Sequence, residues 1–239
     1  MEMLDTGEVA VWTAVGTSDG LLNRKVQRAQ IKVTDLAVWR GEDGGVRAWS
    51  NRCPHRGMRL SYGFVRGNRL TCLYHGWTYD GTGGCALIPA HMKLTPPKTI
   101  TVAMYKAAEA GGLIWVASST TEGEPNFSGS WRAIRSIHIG AQASAIESAI
   151  EASPLETGRL VRASSPRAYI HELEDGSRVI CALQEINDHQ TMMHVAVEGS
   201  ESFDRNRRID AWTRKIRRTA EKLIAVAKSD HSVLEGAKV

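Results

Sequence analysis

Two cysteines and two histidines stand close together as Cys53-Pro54-His55 and Cys72-Leu73-Tyr74-His75, with residues 56–71 between the pairs. Two thiolates and two imidazoles can hold zinc tetrahedrally, or a 2Fe-2S cluster in which two cysteines bind one iron and two histidines the other. The pairing bears on the choice. Zinc fingers usually join like with like, two cysteines on a knuckle and two histidines on a helix. Here each pair is mixed, so two facing loops would each give one ligand to each iron, as a cluster with chemically different ends requires. The neighbours suit such loops. Pro54 stiffens the first, Gly57 and Gly76 permit tight turns from which backbone amides can donate to sulfur, and Met58, Tyr74 and Trp77 would shield the site.

The elements that must position these ligands read as short strands and tight turns from Val9 to about Ser118. "LAVWRGEDGGVRAWSN" has apolar and β-branched arms around Asp43-Gly44-Gly45, a hairpin pattern, and "LTCLYHGWTYDGTGG" repeats the idea with its own Gly-rich turn. "GGLIWVASS" is a further buried strand. "STTEGEPNFSGS" then gathers Ser, Thr, Gly, Pro and charge as a linker does. The expected organisation is a first domain over 1–119, a linker over 120–130 and a second domain over 131–239. In the second part "AQASAIESAIEA" is helix-like and stopped by Pro154, and "RAYIHELEDGSRVICALQEINDHQTMMHVAVEG" reads as strands joined at Asp175-Gly176 and Asn187-Asp188. The end reads as a basic amphipathic helix. Ile209, Trp212, Ile216, Thr219 and Leu223 form one stripe, and Arg207, Arg208, Arg214, Arg217 and Arg218 lie largely elsewhere.

Composition bounds the function classes. With 239 residues, 42% hydrophobic and 23% charged, the chain can bury one large core or two modest ones. No run of about 18 apolar residues could span a membrane, and "MEMLDTGEVAVWTAVG" lacks the basic start and apolar run of a secretory signal. A cytoplasmic protein, with no membrane partner, is the expectation. The net charge of +4 is mild and its basic residues concentrate in "RNRRIDAWTRKIRR", so nucleic acid is not the expected partner. In a reducing compartment Cys53 and Cys72 point to metal rather than to disulfides, while Cys85 and Cys181 read as buried thiols.

"CPHRG" followed by "CLYHGW", with "YDGTGG" after the second loop, resembles the Rieske iron-sulfur motif of bacterial Rieske non-haem iron oxygenases, the aromatic-ring-hydroxylating dioxygenases and O-demethylases. The resemblance implies that Cys53 and Cys72 bind one iron and His55 and His75 the other. It implies a mainly β first domain, an antiparallel β-sandwich with cluster-binding hairpin loops, followed by a smaller α+β domain like a truncated oxygenase catalytic domain. Respiratory-chain Rieske proteins carry an additional, disulfide-bonded Cys in each cluster loop; these loops have none. The oxygenase-type branch is the one implied.

Such oxygenases also carry a mononuclear Fe(II) held by two histidines and a carboxylate, an arrangement that leaves positions open for oxygen. The family writes the histidines as Asp-x-x-His followed four or five residues later by another His. Aligning Glu151 in "AIESAIEASPLETGRL" with the acidic residue puts Pro154, which has no donor for a metal, where the first His belongs. The rival location is "EINDHQTMMHVAVEG", where His189 and His194 stand five apart with Asp204 and Asp210 downstream; this stretch also reads as two strands about a polar turn. The first location implies a scaffold that has lost its oxygen-activating metal, and the second a low-ranked candidate iron site.

No phosphate cradle, nucleophile elbow, or flavin or nicotinamide fingerprint appears, so electrons would arrive from a separate flavin-dependent reductase or ferredoxin. The leading expectation is a Rieske oxidoreductase component of a multicomponent system that hydroxylates or demethylates a small, aromatic molecule. The family implies an oligomer of like or unlike chains, by resemblance a trimer, and a complete oxygenase subunit is a possible partner. Two alternatives stand beside it: a terminal oxygenase with its own mononuclear iron, and a non-redox structural zinc module.

Overall fold

Period-two patterning builds the first domain. The computed structural model describes residues 11–155, 159–162 and 168–236, with side chains of the last helix described through residue 225. Strands β1 (Thr13–Thr17), β2 (Lys25–Ile31), β3 (Thr34–Arg40), β4 (Val46–Ser50), β9 (Met104–Ala110) and β10 (Leu113–Ala117) form one antiparallel sheet in the order β1-β10-β9-β4-β3-β2. A smaller sheet joins β5 (Phe64–Arg66), β6 (Arg69–Thr71), β7 (Thr78–Asp80) and β8 (Cys85–Leu87) in sequence order. Successive side chains of a strand point to opposite faces, and β3 uses both. Leu36 and Val38 pack with Val15 and Ile114, while Ala37 and Trp39 turn the other way, onto Trp49, Leu60, Leu70 and Tyr79. Cys53 and Cys72 belong to that second core. Each fully buried aliphatic or aromatic side chain contributes roughly 1.5–3 kcal/mol, so the cysteines are held by the packing that stabilises the domain.

The β3–β4 hairpin turns at Asp43-Gly44-Gly45. Gly44 takes φ of +78°, and the Asp43 carboxylate accepts from the Gly45 N–H at 3.0 Å and from the Arg47 guanidinium.

The second domain is one antiparallel sheet in the order β11-β15-β14-β13-β12, made of β11 (Trp131–Ile139), β12 (Arg159–Arg162), β13 (Ala168–Glu172), β14 (Arg178–Asn187) and β15 (Gln190–Glu198). Helices α1 (Ala143–Ala152) and α2 (Phe203–Gly236) lie on it. Val179, Cys181, Leu183, Met193, Val195 and Val197 face the helices. Ile180, Ala182 and Ala196, between them in sequence, face Trp12, Leu113 and Trp115 of the first domain. A sheet covered on both faces needs apolar residues at every position, which explains the unbroken apolar runs in "VICAL" and "VAV".

Residues 118–130 carry no strand or helix, yet they pack: Trp12 Nε1 donates to Gly123 O at 2.6 Å, and Phe127 stacks on Trp115 at 5.7 Å. Two features depart from the sequence pattern. "WRAIRSIHI", given no element above, is the edge strand β11. On α2 the buried line runs Ile209, Trp212, Ile216, Ala220, with Ile224 packed against the core, whereas Leu223 is 45% exposed. The helix is basic where expected: Arg207, Arg208, Arg214, Arg217 and Arg218 are all exposed. Among the described residues no helix is long and apolar enough to cross a membrane.

Candidate metal centre

The two ligand loops are built alike. In the first, Cys53 N–H donates to Met58 O (2.8 Å) and Gly57 N–H donates back to Cys53 O (2.8 Å). In the second, Cys72 N–H donates to Trp77 O (2.9 Å) and Gly76 N–H to Cys72 O (3.1 Å). Each loop closes over six residues with its glycine four places after the cysteine, and both glycines are left-handed, at φ +72° and +68°. That region costs an L-residue about 1–2 kcal/mol, so glycine is what lets the loop reverse. At Gly76 space is short as well: a Cβ would lie 2.9 Å from Pro89 Cγ.

Different elements aim the two loops at each other. The second is the tip between paired strands β6 and β7. The first leaves β4 and is pinned by Asn51, whose Oδ1 accepts from Ser61 N–H (2.7 Å) and whose Nδ2 donates to Asp35 (3.1 Å) and Ser61 Oγ (2.9 Å).

The four side chains sort into two ends. Cys53 and Cys72 are each 2% exposed, inside the core, and Tyr79 Oη lies 3.1 Å from Cys53 Sγ. His55 is half-buried and His75 exposed, with ring centroids 4.7 Å apart. Trp77 stacks on the His55 ring at 4.3 Å and 4°, and Tyr74 lies 3.8 Å from His75. Burial pushes the Cys72 thiol up and the neighbouring Cys53 adds to this, while backbone N–H groups of Tyr74 and His75 pull it down. Those amides are the donors a thiolate would use. Desolvation, then His75 and Arg56, hold His55 below its ordinary value, in the neutral form that ligates. Burial, then the Cys53 contact, raises Tyr79 far above the ordinary phenol range, so it stays an O–H donor.

This donor set fits a two-iron group with a thiolate end and an imidazole end.

Residues 11–105 match the family of the Rieske [2Fe-2S] domain. The chain is 43% identical across 126 residues to the oxidoreductase NdmD of Pseudomonas putida, covering 52% of this chain and 21% of that protein. It is 46% identical across 69 residues to the methylxanthine N1-demethylase NdmA of the same organism, covering 29% of this chain and 20% of that one. Over residues 11–105 the chain carries a Rieske [2Fe-2S] domain. It spans about a fifth of the length of these curated relatives. The fold likeness reaches further: apo dicamba monooxygenase superposes with a TM-score of 0.74 at 16% identity, covering 96% of this chain and 89% of that one. A Rieske domain carries a 2Fe-2S cluster, which accepts and passes one electron.

The second domain differs at the positions considered for another iron. Glu151 is exposed and α1 ends at Ala152, followed by Ser153, whose carbonyl accepts from Trp212 Nε1 at 2.7 Å, and then by Pro154. Residues 156–158 and 163–167, part of the stretch after Pro154, lie outside the described residues. His189 sits exposed in the β14–β15 turn, where its N–H donates to Asn187 Oδ1. His194 is 2% exposed and both ring nitrogens are engaged, Nδ1 with Ser136 Oγ (2.7 Å) and Nε2 with Gln184 Oε1 (2.8 Å). Asp210 holds Arg135 and Arg214, and Asp204 is exposed in the first turn of α2.

Two residues escaped the sequence reading. Tyr79 was legible as the alternate position after Trp77 on β7, but its target was not. His171 on β13 is fully buried, with no hydrogen-bond partner for either ring nitrogen among the described residues and an edge-on contact to Trp212 at 4.9 Å; nothing local marks it.

Proposed function

We propose that the chain is the cluster-bearing, electron-accepting component of a multicomponent oxygenase system, supplied by a separate flavin-dependent reductase or ferredoxin. In this reading Cys53 and Cys72 hold the buried iron, and His55 and His75 hold the outer one. The observation that carries it is the sorting of the four side chains: paired thiols in the core with the Tyr79 hydroxyl hydrogen-bonded to one of them, and paired imidazoles nearer the surface beside Trp77 and Tyr74. The chain's own residues do the rest. Core packing and the Tyr79 hydroxyl keep water from the sulfurs, loop amides offset their charge, and the exposed His75 edge offers a short route to a docked partner. Arg52 and Arg56, flanking Cys53 and His55 in sequence, are exposed and favour an acidic donor by charge.

The reacting molecule, by the names of relatives that demethylate or oxygenate, would be small and aromatic. A mononuclear iron of the chain's own is not part of this reading, since the layer between α1, α2 and the sheet is packed with apolar side chains. The second reading, a terminal oxygenase, draws on the likeness to dicamba monooxygenase across both domains.

Iron quantitation and electron paramagnetic resonance of the dithionite-reduced, fully loaded protein separate the two. Two irons per chain with a Rieske signal and no substrate-dependent oxygen consumption support the proposal. A third iron, or oxygen consumption with only a reductase supplied, overturns it in favour of the second reading. Zinc in a colourless protein overturns both.

A further inference from the structure

Strands β1 and β2 are the two edges of the six-stranded sheet and do not pair with each other. The gap between them is closed by the second domain, through β11, β14 and β15, and a cavity of about 420 Å³ is left there. Volumes of this order hold small organic ligands.

We propose that this interdomain crevice binds a small carboxylate with an apolar body and a hydrogen-bond donor at its far end. The apolar part of the lining is Val15, Ala29, Ile186 and Met192. Among the described residues the one formal charge in the lining belongs to Arg28, whose ion-pair partner Asp35 lies outside the lining. Arg28 is held in advance. Its Nε donates to Asp35 Oδ1 at 2.7 Å and its Nη2 to Gln30 Oε1 at 2.9 Å, so two bonds restrain the guanidinium and neither uses Nη1. A guanidinium so anchored loses little freedom on meeting an anion.

The donor requirement comes from the floor. Gln184 Nε2 donates to Gln30 O at 2.9 Å, so its Oε1 faces His194 and accepts from Nε2–H. That leaves Nδ1 of His194 to accept the Ser136 hydroxyl proton at 2.7 Å. The proton of Ser136 is thereby committed, and Ser136 presents lone pairs to the cavity. A ligand hydroxyl or N–H satisfies them.

4-Hydroxybenzoate is a probe with all three features, and 4-hydroxybenzamide is its uncharged counterpart. Isothermal titration of the cluster-loaded protein should show 4-hydroxybenzoate binding at least tenfold tighter than the amide. Arg28→Gln should remove that tenfold preference. Ser136→Trp, a change at an exposed strand position, should abolish binding by filling the crevice, and it serves if Arg28→Gln fails to fold. Equal affinity for the two probes, no heat with either, or unchanged binding in Ser136→Trp overturns the proposal.

Discussion

Replacing Tyr79 with Phe removes one oxygen from the buried end of the site and keeps the ring that packs in the core. The hydroxyl lies 3.1 Å from Cys53 Sγ, and both residues are essentially inaccessible. A metal-bound thiolate can only accept, and the phenol stays protonated, so the bond runs from Tyr79 to sulfur. A donor to sulfur favours whichever state carries more negative charge, the reduced one. Hydrogen bonds to charged groups contribute roughly 1.5–3 kcal/mol and neutral ones about 0.5–1.5. The increment for adding one electron next to this bond is therefore about 1 kcal/mol. For a one-electron couple, at about 59 mV per tenfold, this becomes a fall in midpoint potential of about 40 mV. A redox titration of wild type and Tyr79→Phe at one pH, followed by circular dichroism of the cluster, measures it. A midpoint that stays within about 10 mV, or rises, refutes the reasoning, because the ring is unchanged and only the donor has gone.

Gly57→Ala and Gly76→Ala both incur the left-handed cost of about 1–2 kcal/mol, but only Gly76 also meets a ring carbon, Pro89 Cγ at 2.9 Å, whereas the nearest atom to Gly57 is the movable Arg52 guanidinium at 3.3 Å. Cluster incorporation, read by visible absorbance, should fall further in Gly76→Ala; equal losses would contradict this. His171 is kept neutral, its folded value pushed down by burial from 6.5 to about 4. The unfolded chain binds the proton more readily, so stability is full above about pH 6.5 and declines as pH falls towards 4, by roughly 3 kcal/mol in all. His171→Leu should flatten that decline in urea unfolding at pH 7 and 5, and an unchanged difference between the two pH values would count against it. Charge reversal at Arg52 and Arg56 should slow reduction by an acidic ferredoxin roughly tenfold at low salt, while Arg217→Glu with Arg218→Glu leaves the stopped-flow rate within about twofold; the opposite ranking would move docking to the last helix.

Much of both domains was readable from local pattern. The Asp43-Gly44-Gly45 turn, the Asp175-Gly176 turn and the helix ending just before Pro154 are decided by neighbours in sequence, since turn and cap preferences act over a few residues. The edge strand β11 was not readable, because "WRAIRSIHI" mixes charge and β-branched residues without strict alternation, and only pairing with β15 makes it a strand. Leu223 failed for a related reason: a helix periodicity says which residues share a face, but not where the partner surface takes up Ile224 instead.

By itself the sequence determined the four candidate donors and their spacing, Cys53 with His55 and Cys72 with His75, and the one glycine each loop needs, because loop closure over six residues is a local property of the chain. Only the tertiary structure decided which of these side chains lie inside. The thiols are buried because β3, β7 and the Leu60 turn, far apart in sequence, pack around them, and Tyr79 reaches Cys53 only across that core. The same holds in the second domain. Whether His194 was free to bind a metal depended on Ser136 and Gln184 from two other strands, and such contacts are set by sheet order, which no short stretch of residues encodes.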